Sequence, residues 1–354
     1  MQGNRTMAPE WHDIDAVMLA WPHAQTDWAP WLEEARSTYL NVIAAVNRFN
    51  AGVILLCAAD DVDSLKSQLP DDARVLIVPA VFNDTWMRDY GFITCKDAEG
   101  IGYPVEFRFN GWGNKFNASE DNLANQRYLA SMCNAALRSS PIVAEGGALE
   151  IDEDGHLLST AQCLLNPERN GDMSLSAYED TFNDMLGCSK VTVLQHGHLE
   201  GDDTDGHIDT LVRFTSNKGL VIQASNNRPQ DSHYEGLKAL CDECALELPE
   251  HKQFHLPLPY IENEEGDRLP ASYANYLICN KAILLPVYGQ PEDGEAIAVV
   301  QKAYPEHIVE PIDCSVLVKQ YGSLHCISMQ VPTHTLKDSI IATLKKGVSL
   351  HAPN

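Results

Sequence analysis

Apolar and polar positions alternate in a form that repeats along the chain. Two short apolar runs, each typical of a β-strand, flank a turn rich in Asp, Asn, Lys and Gly, as at Lys96–Gly100. Two such runs around a short turn predict an antiparallel hairpin. The predicted hairpins are Asp89–Phe109, Gly147–Asn166, His207–Ser225 and Tyr273–Val287.

Each predicted hairpin is followed by a helix and then by another strand. The helical segments carry apolar residues three and four positions apart, as on one face of a helix. They are Glu120–Arg138, Leu175–Leu186, Tyr234–Leu246 and Glu295–Tyr304. The apolar runs after them are Pro141–Ala144, Lys190–Gln195, Phe254–Pro257 and Ile308–Ile312. The pattern predicts an α/β protein built from repeated hairpin–helix–strand units.

The two ends of the chain are expected to complete one further unit. A last predicted strand, Ser323–Gln330, has no partner downstream. The N-terminal strand Ala16–Trp21, followed by a helix over Trp31–Phe49, is the expected partner. Four and a half units closed in this way predict a ring of about five repeats. Because no Pro- or Gly-rich linker divides the chain, residues 1–354 are expected to form one domain. Two ordinary α/β domains are the alternative.

Composition and charge narrow the classes of partner. The 354 residues are 44% hydrophobic, with 50 acidic against 25 basic residues and a formal charge of −25. Such a charge disfavours nucleic acid and anionic membranes and attracts cationic ligands. Most of the acidic residues are still expected to be solvated surface. We therefore expect a cationic small-molecule partner, no nucleic acid and no membrane, with homo-oligomerisation left open.

Ten cysteines in a chain of this length do not indicate a disulfide framework. Cys241 and Cys244 form a C-x-x-C inside a predicted helix, without a second pair nearby, and are interpreted as core residues. Met1–Trp11 lacks the basic and apolar regions of a signal peptide. No apolar run reaches the length of a membrane-spanning helix. A cytoplasmic protein with reduced thiols is expected.

The stretch Gly201–Asp209 carries four carboxylates and one imidazole, a density that predicts a bound cation. An EF-hand loop with glycine at its sixth position would need acidic first and twelfth residues. Those positions hold Gly201 and Val212, so this loop does not fit. His207 and Asp209 could ligate zinc, but no convincing third ligand follows from spacing. A metal site stays open but fits less well than a cationic substrate.

The other candidate residues stand at the starts of successive hairpins. Asp89 opens the first, Glu145 precedes the second, and His207 and Asp209 open the third, while Cys326 lies on the last predicted strand. Each has a structural alternative: an ion pair of Asp89 with its neighbouring arginine, a turn at Glu145, a structural histidine, a buried thiol. Repeats around an axis would bring all five together, and this shared placement favours one site.

A guanidinium is the cation that suits this set. It is planar, carries five N–H donors and stays charged at neutral pH, so two carboxylates can bind it in bidentate fashion. A cysteine thiolate could attack its central carbon, and a histidine could protonate the departing ammonia and then activate water. This chemistry needs no metal.

The motifs also resemble one known family, the agmatine deiminases and bacterial-type peptidyl-arginine deiminases of the guanidine-modifying (pentein) superfamily. They run in family order from about residue 9 to 332. The matching segments are Ala20-Trp21-Pro22-His23, Thr26-Asp27-Trp28, Trp86-Met87-Arg88-Asp89-Tyr90-Gly91, Phe109-Asn110-Gly111-Trp112-Gly113, Glu145-Gly146-Gly147, Leu164-Leu165-Asn166-Pro167, Asp203-Thr204-Asp205-Gly206-His207-Ile208-Asp209 and His325-Cys326-Ile327.

The resemblance implies a five-bladed α/β propeller and a C–N hydrolase. The implied reaction converts agmatine to N-carbamoylputrescine and ammonia, in polyamine (putrescine) synthesis, through a covalent thiouronium on cysteine. By motif match Cys326 is the nucleophile, His207 the general acid/base, and Glu145 lies beside His207 and the guanidinium. No cofactor is implied.

The resemblance also assigns the substrate contacts. Asp89 and Asp209 are implied to clamp the guanidinium nitrogens. Trp86 is a candidate wall of the substrate channel, with a place in the core as its alternative. In the acidic stretch, the remaining residues Asp202, Asp203 and Asp205 are expected to shape the turn that presents His207 and Asp209.

Two departures from the family pattern bear on the substrate rather than on the reaction. The chain has Tyr321-Gly322-Ser323-Leu324 where the family often has a glycine run, and Phe92 where it usually has proline. Arginine and peptidyl-arginine are therefore alternative substrates, and Glu262, Glu264 and Glu265 are candidates to bind an ammonium tail. A metal-dependent hydrolase and a non-enzymatic cation-binding propeller are the other hypotheses.

Overall fold

The structure is a computed structural model that describes residues 5–351. It is a mixed α/β protein, and its strands are short. In chain order they are β1 Thr6–Met7, β2 Ile14–Ala20, β3 Gly52–Cys57, β4 Val75–Pro79, β5 Ile93–Lys96, β6 Gly102–Arg108, β7 Arg138–Val143, β8 Glu150–Ile151, β9 His156–Thr160, β10 Lys190–Leu194, β11 Val212–Thr215, β12 Gly219–Gln223, β13 Lys252–Leu256, β14 Leu277–Cys279, β15 Ala282–Val287, β16 Ile308–Asp313, β17 Met329–Pro332 and β18 Ser349–Leu350.

Helices connect the strands, together with several 3₁₀ turns. The α-helices are α1 Leu32–Arg48, α2 Val62–Gln68, α3 Met87–Tyr90, α4 Gly111–Asn114, α5 Ala161–Leu164, α6 Pro167–Asn170, α7 Leu175–Leu186, α8 Tyr234–Glu247, α9 Asp293–Ala303 and α10 Asp338–Leu344. None of the helices in the described part is long and apolar enough to cross a membrane.

The predicted hairpin–helix–strand repeat is confirmed in the sheets. Three sheets have the same construction, an antiparallel hairpin plus a third strand parallel to its second strand: β8-β9-β10, β11-β12-β13 and β14-β15-β16. Helices α7, α8 and α9 make the crossovers, because a parallel neighbour cannot be reached by a tight turn. The sheet β1-β5-β6-β7 follows the same plan with one added strand.

Local signals explain why α7 lies where the pattern placed it. The Ser174 side chain accepts a hydrogen bond from the Ala177 N–H at the start, and Gly187 takes the left-handed conformation (φ 67°) at the end. Serine caps and left-handed glycines are favoured at these two positions. The buried face of α7 includes Tyr178 and Phe182, one turn apart.

The fifth sheet joins the two ends of the chain, as predicted. Its order is β17-β2-β3-β4-β18, and β17 runs antiparallel to β2 with Met329 opposite Met18. The boundary was predicted wrongly, however. The strand begins at Met329, and residues 324–327 form a turn before it. The parallel strands β3 and β4, with α2 between them, were not predicted.

The predicted helix Glu120–Arg138 is wrong. The segment instead contains a 3₁₀ turn at Asp121–Leu123, a π turn at Asn125–Leu129 and a 3₁₀ turn at Ala130–Met132, and β7 already begins at Arg138. The buried Asn125 amide donates to the Tyr90 carbonyl at 2.8 Å and accepts from the Phe92 N–H at 2.9 Å. These tertiary bonds fix the segment, and irregular turns of this kind commonly accompany such constraints.

Arg213 on β11 holds several elements together through its buried side chain. The buried guanidinium donates to Glu150 Oε2 on β8 at 2.8 Å and to the carbonyls of Ala274 and Tyr276 at 3.1 and 2.9 Å. It also pairs with Glu10. Breaking a buried pair leaves a buried charge without its partner, which is far costlier than losing an exposed pair.

We therefore expect Arg213→Ala to lower the free energy of unfolding by about 3–5 kcal/mol, because Glu150 would stay buried without its cation and Glu10 would keep only Arg88. Urea unfolding followed by circular dichroism measures this. Lys238→Ala, which removes an exposed pair with Asp242 on α8, is the control and should leave the unfolding midpoint unchanged. Equal midpoints for the two variants would contradict the assignment.

Candidate active site

Asp89 on α3 lies at the centre of the polar cluster and is buried. Its Oδ2 accepts a hydrogen bond from Trp112 Nε1 at 2.9 Å, and its Oδ1 accepts one from the Gly147 N–H at 3.0 Å. His207 Nδ1 lies 3.6 Å from the same Oδ1. These contacts fix the orientation of the carboxylate.

Gly147 marks the point where three polar side chains meet. A Cβ here would lie 2.7 Å from Asp89 Oδ1, 2.7 Å from His207 Nδ1 and 3.1 Å from Asp209 Oδ2. Any larger residue would occupy the space between them. The Glu-Gly-Gly motif therefore does more than make a turn: its second glycine keeps the centre of the cluster open.

Glu145 is fully buried and is held by Arg169 on α6. Arg169 Nε lies 2.9 and 3.0 Å from the two carboxylate oxygens of Glu145. The same guanidinium donates to Asp205 Oδ2 at 2.7 Å and to the Thr204 carbonyl at 2.8 Å. Arg169 thus connects Glu145 to the loop that carries His207.

The Cys163 thiol, which no motif singled out, lies beside His207. One ligand-type atom from each of Glu145, Cys163 and His207 falls within 4.8 Å of the other two, and all three residues are buried. Burial alone would lower the pKa of His207. The acidic groups of Asp89, Cys163 and Glu145 outweigh burial and raise that pKa well above its ordinary value.

Cys326 lies in the turn before β17, where one side chain anchors it. Asn275 Oδ1 accepts from the backbone N–H groups of His325 and Cys326 at 3.0 and 3.3 Å and from the Cys326 thiol at 3.3 Å. Asn275 Nδ2 donates to Asp209 Oδ2 at 3.2 Å, and Cys326 Sγ lies 3.9 Å from that oxygen. Asp209 Oδ1 is buried and has no hydrogen-bond partner among residues 5–351.

His325 extends the cluster to the N-terminal segment. Its Nδ1 lies 2.7 Å from Asp209 Oδ2 and its Nε2 lies 2.7 Å from Glu10 Oε1. Arg88 Nη1 donates to the same Glu10 oxygen at 3.1 Å. The ion pair of Arg88 with Asp89, weighed above as a structural alternative, is therefore replaced by one with Glu10. His325 belongs to the His325-Cys326-Ile327 motif but was assigned no role, and Glu10 belongs to none of the matching segments.

Part of the acidic stretch shapes a turn, as predicted. Asp202 Oδ1 accepts from the N–H and hydroxyl of Thr204 at 3.0 and 2.6 Å. Asp205 adopts a positive φ of 69° and binds Arg169 at 2.7 Å and Lys115 at 2.8 Å. The stretch therefore presents His207 through carboxylate-to-backbone and carboxylate-to-cation contacts.

A cavity of about 200 Å³ opens onto Cys326. Trp86 lines it and is also buried in the core against Trp28, so its position fits both the channel-wall and the core interpretation. Six carboxylates line the same cavity, whereas its lining residues include no Lys or Arg. The six are Asp27, Asp84, Asp89, Asp202, Asp203 and Asp209. Asp203 thus faces the cavity as well as belonging to the turn.

The departures from the family pattern differ in position. Tyr321 and Gly322 line the cavity, and a Cβ on Gly322 would lie 2.2 Å from a Trp86 ring atom. Phe92 is buried in the core and does not line the cavity. Glu262 lines a neighbouring cavity that shares Tyr321 with this one.

The electrostatics of the site separate its two central carboxylates. Burial raises the pKa of Asp89 to about 6, with Asp209 reinforcing the shift. Burial also favours the neutral form of Asp209, but hydrogen bonding and charge from His325 outweigh it and lower the pKa of Asp209. Burial, with Asp209 and Asp89 adding to it, raises the pKa of the Cys326 thiol well above its ordinary value.

A buried thiol and two carboxylates thus line an acidic cavity, and an imidazole lies 3.6 Å from one of those carboxylates. This is the arrangement of an enzyme that acts on a cationic group. Residues 6–332 match the Porphyromonas-type peptidyl-arginine deiminase family. The chain belongs to this family, and the predicted resemblance is confirmed.

Relatives and solved structures give the match more detail. A Vibrio parahaemolyticus protein, provisionally named an agmatine deiminase, is 31% identical over 91% of this chain and 95% of its own. A Porphyromonas gingivalis structure, provisionally an arginine deiminase, is 40% identical with a TM-score of 0.87, over 94% of this chain and 100% of its own. The structure of a cysteine-to-serine variant of C. jejuni agmatine deiminase with substrate bound is 31% identical with a TM-score of 0.86. The match covers 94% of this chain and 97% of that one.

The pKa of Asp89 predicts a pH dependence of stability. An unfolded Asp titrates near 3.9, so a folded pKa of about 6 contributes stability that is complete below pH ~4 and lost as pH rises through about 6. As the pH rises from 4 to 6.5, the natural protein should therefore lose about 2 kcal/mol more of its free energy of unfolding than Asp89→Asn loses.

Urea unfolding at several pH values measures this difference. Asp172→Asn removes an exposed carboxylate and should reproduce the natural pH dependence. Parallel curves for Asp89→Asn and the natural protein would show that Asp89 has no raised pKa.

Proposed function

We propose that this protein is an agmatine deiminase that hydrolyses the guanidinium of agmatine to N-carbamoylputrescine and ammonia. The observation that carries the proposal is the cavity in which Cys326, Asp89 and Asp209 meet without a lining Lys or Arg. Membership of the deiminase family and the name of the substrate-bound C. jejuni relative support it.

Asp89 and Asp209 are proposed to bind the guanidinium. Both line the cavity, and the free Asp209 Oδ1 is a buried acceptor that needs a donor. A buried acceptor without a partner is costly, and a guanidinium N–H is a charged donor that would satisfy it. The bound substrate would place its central carbon near Cys326 Sγ, which is 3.9 Å from Asp209 Oδ2.

The charge of the substrate is proposed to activate the thiol. In the empty site burial and the nearby carboxylates raise the pKa of Cys326, so the neutral thiol prevails. A guanidinium between Asp89 and Asp209 would offset both negative charges and favour the thiolate. The nucleophile would then form mainly when substrate is present.

His207 is proposed to move the protons. The thiolate adds to the guanidinium carbon, forming a C–S bond, and the imidazolium of His207 gives a proton to the departing amine. Ammonia leaves and a thiouronium on Cys326 remains. Water, deprotonated by His207, adds to that carbon, and cleavage of the C–S bond releases the ureido product and the thiol. Glu145, held by Arg169, would keep His207 oriented and charged.

The acidic cavity favours an ammonium tail. Burial and the charge of Asp202 raise the pKa of Asp203 to about 7 although Lys115 opposes the shift, so the ionised carboxylate would gain from a further cation. The ammonium of agmatine would supply that cation. The carboxylate of free arginine would instead meet the remaining acidic residues of the lining and none of the cations that it needs. Arginine and peptidyl-arginine remain the alternative substrates.

The proposal also covers the architecture of the protein and its cellular setting. We propose that the five sheets are the blades of one α/β propeller domain around the site. Ten cysteines, all free and buried, support the predicted reducing, cytoplasmic setting.

A metal-dependent hydrolase is less well supported, because the thiol and the carboxylates facing the cavity already provide the guanidine chemistry.

Cys326→Ala should abolish formation of the ureido product, because no other lining residue of the cavity offers a thiol. A colorimetric ureido assay and ammonia release measure this, with agmatine, arginine and a blocked arginine peptide tested side by side. Circular dichroism should be unchanged. Cys241→Ala removes a buried thiol on α8 and should keep full activity. Turnover by the folded Cys326→Ala protein would overturn the thiol mechanism.

Asp203→Asn should raise the KM for agmatine about tenfold, the effect of losing about 1.4 kcal/mol of tail binding, with a smaller change in kcat. Steady-state kinetics separate the effect on KM from the effect on kcat. Glu262→Gln, in the neighbouring cavity, is the matched control and should leave KM unchanged. An unaltered KM in Asp203→Asn would place the tail elsewhere.

A further inference from the structure

We propose that Glu145, Cys163 and His207 form a second binding site, for a thiophilic divalent cation such as Zn²⁺, and that the bound ion inhibits the enzyme. One potential ligand atom from each residue lies within 4.8 Å of the other two. A tetrahedral zinc ion with these ligand types would need separations of about 3.5 Å. Small side-chain movements would close the site.

The geometry leaves a ligand atom free on His207. Nδ1 faces Asp89 at 3.6 Å, whereas Nε2 is buried and has no hydrogen-bond partner in the described part of the chain. An unpartnered buried imidazole nitrogen is costly. A metal ion is one of the few ligands that could satisfy it beside a thiol and a carboxylate.

Cys163 is held against His207 by the fold. It lies on α5, where its N–H donates to Thr160 Oγ1 at 3.3 Å, and the same hydroxyl donates to the Gly206 carbonyl at 2.6 Å. The residue after Gly206 is His207. The thiol and the imidazole are therefore tied to one hydroxyl and should keep their separation.

The donor set selects the kind of ion. A thiolate and an imidazole favour zinc and related soft or borderline cations over Mg²⁺ or Ca²⁺, which prefer oxygen. Three protein ligands leave a fourth position for water. The carboxylates of Asp89 and Asp209 nearby add negative charge, which offsets the positive charge of Arg169 on Glu145.

Inhibition would follow from the role of His207, and this part rests on the proposed function. With a metal on Nε2, the remaining proton of the neutral ring sits on Nδ1. The ring could then no longer accept a proton at Nδ1, and it could not activate water. The binding part of the proposal does not depend on the reaction.

Calorimetric titration with ZnCl₂ alone tests binding, in untagged Cys326→Ala protein so that the nucleophile cannot contribute. We expect one Zn²⁺ per chain. Adding Cys163→Ala should weaken Zn²⁺ binding at least tenfold. Cys163→Ser replaces it if the alanine variant does not fold. Cys241→Ala, which disrupts the C-x-x-C on α8, should leave binding unchanged. Cd²⁺ should give the ultraviolet absorption of a metal–thiolate bond only while Cys163 is present.

The inhibition part is tested on protein with Cys326 intact. Zn²⁺ should inhibit agmatine turnover reversibly, and half-inhibition of Cys163→Ala, relative to its own metal-free rate, should need at least tenfold more Zn²⁺. Unchanged binding or inhibition in Cys163→Ala would overturn the proposal. Loss of activity on chelation would also overturn it, because the ion would then be required. Zinc binding without any deiminase activity would retain the site and refute only the proposed function.

Discussion

The structure depends on a group of acidic side chains brought out of water at its centre and balanced by three arginines. Glu10, Asp89, Glu145, Glu150 and Asp209 are buried or nearly so, and each makes specific polar contacts. The balancing guanidiniums are Arg88, Arg169 and Arg213. Isolated buried carboxylates would be protonated, and a set of them would not fold together without these cations. Positive charge is lacking beside Cys326, where the lining of the cavity contains carboxylates but no Lys or Arg. The proposed substrate would bring a cation to this place.

Much of the fold could be read from periodicity because each repeat is local. A hairpin needs only two apolar runs and a turn, and α7 to α9 need only their spacing and end signals. The boundaries failed where tertiary hydrogen bonds decide the backbone. Asn125 bends one predicted helix into irregular turns, and Asn275 keeps Cys326 in a turn ahead of the strand on which it was predicted.

The residues of the site likewise divide into those that the repeat predicts and those that only tertiary contacts bring in. Its residues at hairpin starts were predictable, because equivalent positions of a repeat meet at one place. The roles of Glu10, Cys163, Asn275 and His325 were not predictable, since each acts through contact with a residue from a distant part of the chain. Cys163 had the weakest signal: it is one of ten cysteines, and only the contact between α5 and the turn before His207 distinguishes it.

The contact between Glu10 and His325 has a consequence for how the protein is made. It joins residues 315 positions apart in sequence, and β2 must meet β17 over a similar span. Contacts at such separations form late, after the loop-closure entropy of the intervening chain has been overcome. On the ribosome, Asp89, Glu145 and His207 emerge well before Cys326. The charged cluster can therefore close only after β17 has been synthesised, and Cys326, which lies just before β17, joins its partners only then.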